Sequence, residues 1–232
     1  MSKVAFLFSG QLRGFVYSYP TIQKYFEDIF QDYDINYVFN ILEGNYNIET
    51  VINEYQKIIE KKIWKKDPVE DLHAFCIPNG IGGWSQFHSQ MNNNTVHEDK
   101  FKHFMLQWYF VKGAYNLISE ISDTFDYIIR IRPDLFFYKP ILNINLNGLD
   151  NHTIIVPQKF DFDGICDRLA IGRPKAMQIY CDFYNICNAI PGNSETRLLT
   201  WLRQNNIKVI KHDIEFCHIN QNQQFTYCVP TN

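Results

Sequence analysis

Arg130, Arg132 and Asp134 sit close together in one apolar run, "FDYIIRIRPDLFFYKP" (125–140). Ile128, Ile129, Ile131, Leu135, Phe136 and Phe137 give that run the character of a buried strand. Alternation along a strand puts Arg130 and Arg132 on one side and Ile129 and Ile131 on the other. A guanidinium buried without a partner is prohibitive, and a single partner rarely compensates in full. Each arginine therefore requires anions nearby, and two parallel forks suit a diphosphate or several carboxylates. For Arg130, deeper in the strand, the competing reading is an internal ion pair with Asp126 or Glu120. Arg132 lies nearer the carboxyl end. Pro133 cannot donate to a ladder, so it ends the regular strand and presents Asp134 in a loop. There an ionised carboxylate can hold a divalent cation or a ribose hydroxyl, or simply cap the turn.

Other candidates are spread along the chain. In "GNSETRLLTWL" (192–202), Asn193 or Ser194 is a suitable cap, which puts Glu195 in the first helical turn. Its plain role is a dipole interaction worth about 0.3–1 kcal/mol; its chemical role is that of a general base. "FDFDG" (160–164) supplies Asp161 and Asp163 and looks like the nucleophile motif of haloacid-dehalogenase-type phosphatases. That motif normally ends the first strand of its domain, and no such strand leads into residue 160, so an active-site loop or a solvated loop is expected. His212 or His218 could complete a metal site or be structural. His73, His88, His97 and His103 are too scattered for a zinc site. Trp84, Phe87 and Trp108 could stack on a sugar or base, although Trp108 lies on an apolar helical stripe and reads as core.

These residues need a frame. "KVAFLFS" (3–9) reads as a buried parallel strand followed by the polar loop "SGQLRG" (9–14). Ile22, Tyr25, Phe26, Ile29 and Phe30 recur at helical spacing, with Pro20 suited to the first turn. "INYVFNIL" (35–42) is a second strand. Ile48, Val51, Ile52, Tyr55, Ile58, Ile59 and Ile63 mark a second helix, with "EKKIWKK" (60–66) as its solvated end. Residues 67–100 form a long irregular loop. A long helix follows, with Phe101, Phe104, Met105, Trp108, Val111, Tyr115 and Ile118 on one face. After the arginine strand come "TIIVP" (153–157), "CDRLAIG" (166–172), helices near 174–188 and 195–204, and the strand "IKVIK" (207–211). This order predicts one α/β domain over 1–232, with a mixed, mostly parallel sheet flanked by helices. Ligands of such sheets bind outside the strands' carboxyl ends, where "SGQLRG", "RPD" (132–134) and the region after "TIIVP" fall.

Composition narrows the field. The chain has 232 residues, is 46% hydrophobic and carries a formal charge of −3, so no global basic field argues for nucleic acid or an anionic membrane. No apolar run is long enough to span a bilayer or to form a signal-peptide core. The six cysteines show no CxxC pair, and free buried thiols in a cytoplasmic protein are expected. The sequons at Asn93 and Asn151 then read as chance matches.

"FDYIIRIRPDLFF" resembles the central strand and DxD segment of nucleotide-sugar glycosyltransferases of the GT-A fold. With "SGQLRG", "SQFHSQ", "CDRLAIG" and "SETRLL" in this order, the chain resembles the small capsid-glycan glycosyltransferases of large DNA viruses and their bacterial surface-polysaccharide relatives. The resemblance covers roughly residues 3 to 211. It implies a GT-A-like fold, a UDP-sugar donor, a glycan or glycoprotein acceptor, Mn2+ or Mg2+, and, if viral, the host cytoplasm. By the same resemblance Ser9, Gly10, Gln11 and Arg13 line the nucleotide pocket, with Arg130, Arg132 and Asp134 at the diphosphate. Asp134 is the implied metal ligand, with His212 as a further one. Asp167 lies near the transferred sugar or acceptor, and Glu195 is the base of an inverting reaction. The departure is Arg132, which stands where the pattern has its first Asp. The alternatives are a catalytically silent sugar- or nucleotide-binding module on the same fold, and a phosphatase or nucleotidyltransferase using Asp161 and Asp163.

Overall fold

The computed structural model describes residues 1–42, 58–64, 98–187, 189–220 and 224–226. Its frame is a seven-stranded sheet in the order β3-β2-β1-β4-β7-β6-β8. These strands are β1 (Lys3–Gln11), β2 (Asp34–Leu42), β3 (Ile58–Trp64), β4 (Tyr127–Ile131), β6 (Thr153–Pro157), β7 (Leu169–Gly172) and β8 (Lys208–His212). Only β7 runs against its neighbours β4 and β6; the other pairings are parallel. A second, antiparallel sheet holds β5 (Leu135–Phe137), β9 (Phe216–Ile219) and β10 (Phe225–Thr226). The fold is thus mixed α/β with a mostly parallel central sheet flanked by helices.

Alternation along β1 explains the layers. Val4, Phe6 and Phe8 point into one apolar cluster with Phe15, Phe26, Phe30, Phe39 and Phe137. Ala5 and Leu7 point into the other, with Met105, Trp108, Val111, Leu198 and Leu202. Helix α1 (Phe15–Tyr25) covers the first face. On the second lie α2 (Glu98–Asn116), α3 (Pro174–Asp182) and α4 (Ser194–Gln204). Gly113 lets α2 approach β2 closely: a Cβ there would lie 2.2 Å from Asn40 Nδ2. That amide instead donates to the Phe110 carbonyl at 2.8 Å.

Several expectations change. Residues 58–64 form β3, not the end of a helix; their partner is β2 in parallel register. The isoleucine spacing fits both periods, and the sheet edge decides it. The rest of that expected helix, and most of the irregular 67–100 segment with Trp84 and Phe87, lies outside the described residues. Helix α1 begins at Phe15, so Pro20 falls inside it on the exposed side rather than in its first turn. β1 continues through Gln11, so Ser9 and Gly10 close a strand instead of opening a loop. The arginine strand stops before Pro133 as expected, but the chain resumes at once as β5, which belongs to a different sheet. Cys166, Cys181 and Cys187 are buried thiols, but Cys217 is disulfide-bonded, a pairing that spacing alone does not reveal. No described helix is long and apolar enough to cross a membrane.

Candidate functional site

β1 and β4 are parallel neighbours, with Leu7 opposite Arg130 and Phe8 opposite Ile131. Their carboxyl ends therefore open side by side. Ser9, Gly10, Gln11 and Arg13 from the end of β1, and Arg130, Arg132, Pro133 and Asp134 from the end of β4, line one cleft of about 250 Å³. Leu42 closes it from β2, and His103, Leu106, Gln107 and Phe110 from α2. The lining carries three guanidinium groups against one carboxylate, and one wall is apolar.

Arg130 is 1% exposed. Its Nη1 donates to the backbone carbonyl of Asp167, which also accepts from Tyr180 Oη at 3.3 Å. Neither expected partner holds it: Asp126 instead accepts the Lys3 N–H at 2.8 Å. Burial lowers the Arg130 pKa, opposed by Tyr180 and Asp167. Its Nε is buried with no hydrogen-bond partner among the described residues, and so is the hydroxyl of Ser9.

Arg132 forms a two-pronged pair with Asp134: Nε to Oδ1 at 2.9 Å and Nη2 to Oδ2 at 2.7 Å. Pro133 makes this geometry. It ends β4, its carbonyl is held by the Ser18 hydroxyl of α1, and the chain folds the two side chains toward each other. Burial works against both charges, yet their mutual attraction wins. Arg132 is raised above the ordinary arginine value, and Asp134 is held well below the usual carboxylate range by Arg132 with help from His218. His218 Nδ1 lies 3.7 Å from Asp134 Oδ2; burial lowers the imidazole pKa and Asp134 opposes that.

A second group lies behind the cleft. Asp167 Oδ2 accepts from Gln107 Nε2 at 2.8 Å and from Ser194 Oγ at 2.6 Å. Gln107 lines the cleft, so it links the two groups. Asn193 is the α4 cap, its Oδ1 accepting from Thr196 N at 2.8 Å. That frees Ser194 for Asp167 and starts the helix so that Glu195 falls in its first turn. Burial, then repulsion from Asp167, pushes the Glu195 carboxyl up to about 7, against its own helix amide and Arg168. Neither Asp167 nor Glu195 is among the residues lining the cleft.

Other candidates fall elsewhere. His212 pairs with Pro157 at the β8 edge and is not part of the cleft lining; its Nδ1 is buried without a hydrogen-bond partner among the described residues. His218, not His212, is the histidine beside Asp134. Asp161 pairs with Lys211 Nζ at 2.6 Å, Asp163 is exposed, and both lie in the β6–β7 connection. Trp108 is buried core, 4.6 Å in an edge contact from Phe183. Gln107, His103 and Phe110 were not singled out as site residues by the sequence. Only Gln107 carries a signal, as a polar residue set between Leu106 and Trp108.

The residues at Asp134 do not fit a resident divalent cation. Both carboxylate oxygens face the Arg132 fork. A hard cation takes about six or more oxygen ligands, or keeps waters beside one or two carboxylates. Among the described residues no group of three or more His, Cys, Asp or Glu side chains could hold a metal.

Fold and cleft together define an α/β protein with an arginine-rich site at the carboxyl ends of adjacent parallel strands. The chain belongs to the DUF7796 family, whose model, described as a domain of unknown function, matches residues 1–231. No curated protein matches it.

Proposed function

We propose that the protein is a glycosyltransferase that moves a sugar from a nucleotide-diphosphate donor, a UDP-sugar, to a glycan or protein-linked sugar acceptor. The observation that carries this reading is the convergence of the β1 end and the Arg130–Asp134 segment on one cleft. Leu42, Leu106 and Phe110 offer a wall for the base, and the arginines face the charge. In the reaction, the bond from the anomeric carbon to the diphosphate breaks as the acceptor oxygen attacks. The acceptor's proton passes to Glu195, and the guanidinium groups stabilise the negative charge that builds on the leaving diphosphate. A carboxyl poised at about 7 suits that base role near neutral pH.

The test is release of UDP from UDP-hexoses, with and without oligosaccharide acceptors. Glu195→Gln should lower transfer by about 100- to 10,000-fold and leave UDP affinity intact. Full turnover in that variant removes Glu195 as the base, and no donor cleavage or transfer by the parent removes the glycosyltransferase reading.

A further inference from the structure

We infer that this cleft holds its diphosphate through arginine and serine donors alone, without a divalent cation, and that Asp134 is a positioning residue for Arg132. The inference rests on the donor reading above and says how that donor is held.

Two independent observations support it. The first is a pair of buried, unsatisfied donors in the cleft. Ser9 is 4% exposed and Arg130 1% exposed; both line the cleft, and the Ser9 Oγ and the Arg130 Nε have no partner among the described residues. Leaving such groups unsatisfied costs about 1–3 kcal/mol each, more for a charged one. A ligand rich in acceptor oxygens resolves both at once. The register brings them together, because Ser9 follows Phe8, the partner of Ile131, and Arg130 precedes Ile131.

The second observation is the state of Asp134. A metal-binding carboxylate needs its lone pairs directed at the ion. Here Nε and Nη2 of Arg132 take one oxygen each, and His218 stands 3.7 Å from Oδ2. A cation at Asp134 would have to break a two-pronged charged pair and lie against the guanidinium it displaced. The fork has a different use. It spends two of the five N–H groups of Arg132 and fixes the plane of the rest. The Arg132 side chain stays 27% exposed, against 7% for Asp134. An immobilised guanidinium facing the cleft does for a diphosphate what a metal does elsewhere: it neutralises charge and fixes orientation, but through directed hydrogen bonds.

The experiment is calorimetric titration of the full chain with UDP in EDTA and in Mn2+, and with inorganic pyrophosphate in EDTA. The expected result is binding of both ligands in EDTA, with UDP affinity changing less than about twofold on adding Mn2+. Ser9→Ala should leave the unliganded protein at least as stable as the parent, because it removes a buried hydroxyl without a partner. It should weaken both ligands about tenfold, the loss of one hydrogen bond to a charged group. Asp134→Asn should weaken UDP by the same factor in EDTA and in Mn2+. Binding of UDP only in Mn2+, or a loss in Asp134→Asn confined to Mn2+, overturns the inference and leaves the donor reading standing. Pyrophosphate binding in EDTA without any binding of UDP or UDP-sugars overturns the donor reading instead. Failure of every ligand in both buffers sinks both.

Discussion

Glu195 is the acid whose ionisation its surroundings resist most clearly. Burial and Asp167 push its carboxyl up to about 7, whereas an unfolded Glu titrates at about 4.3. A raised folded value means that the protonated form is the one folding favours. That contribution is complete below about 4.3 and is lost as pH rises through 7. Glu195 is half-buried, so solvent screening reduces the effect to on the order of 1 kcal/mol, or about 2–4 °C for a chain of this size. Melts followed by circular dichroism from pH 5 to 8 should show the parent losing that much more stability than Glu195→Gln. Parallel curves would mean that Glu195 does not titrate in this window. The sequence located this residue through its cap but left Asn193 and Ser194 as equal candidates. The difference is tertiary: Ser194 is committed to Asp167, a partner with no local signature. The arginines were legible for a similar reason. Two guanidinium groups in an apolar strand demand anions whatever the fold, but the fork from Arg132 to Asp134 depends on how the chain turns at Pro133.

At the scale of elements, the β6–β7 connection is what seats the start of α4. Phe160, Phe162 and Asp163 all have positive φ, at 63°, 41° and 67°, a region disfavoured for residues with a Cβ. Packing holds that strain in place. The Phe162 carbonyl accepts from Asn193 Nδ2 at 3.0 Å, Ile165 N donates to the Glu195 carbonyl at 3.3 Å, and Arg168 lies 4.6 Å over the Phe160 ring. Gly164 is the contact point: a Cβ there would stand 2.1 Å from the Glu195 carbonyl carbon and 2.2 Å from its oxygen. Backbone cannot yield as a flexible side chain can. Gly164→Ala should therefore cost about 2–4 kcal/mol and lift the loop from α4, hydrating Glu195 and returning its carboxyl toward the ordinary range. Denaturant unfolding measures the first effect and the pH dependence of the melts the second; a stable variant with unchanged pH dependence removes the loop as the seat of Glu195. The sequence flagged "FDFDG" for its aspartates, while the residue that matters for packing is its glycine. The failure at β3 has the same origin. "IIEKKIW" satisfies a helical and an alternating pattern, its side chains are largely exposed, and charge on an exposed edge strand is a known protection against edge-to-edge pairing. Only its pairing with β2 separates the two readings.

Across the whole molecule, the central sheet divides the apolar interior into two clusters, and the second sheet closes one of them. β5 leaves the central sheet at Pro133 and pairs with β9, carrying Phe137 against Phe26 and Phe216. The continuous apolar run of β1 made a doubly covered sheet legible in the sequence. The second sheet was not, because its strands are short and the residues after Pro133 carry no signal of their own for a strand in another sheet. Glu215 fastens this closure at one end. It is 7% exposed and collects Lys159 Nζ from beyond β6 at 2.7 Å, Lys139 Nζ from beyond β5 at 3.1 Å, and the Tyr138 hydroxyl at 2.7 Å. The hydrogen bond from Lys159, outweighing burial and aided by Tyr138 and Lys139, lowers its carboxyl to about 2. A depressed folded value gives stability that is present above the unfolded value of about 4.3 and is lost as pH falls through 2. Glu215→Gln should thus melt several degrees below the parent at pH 7, where it leaves two ammonium groups without their shared carboxylate. The two proteins should converge toward pH 2, as the parent's carboxyl takes up its proton. A gap that stays constant from pH 7 to pH 2 would assign the loss to packing and remove the ion cluster as the fastening between the sheets.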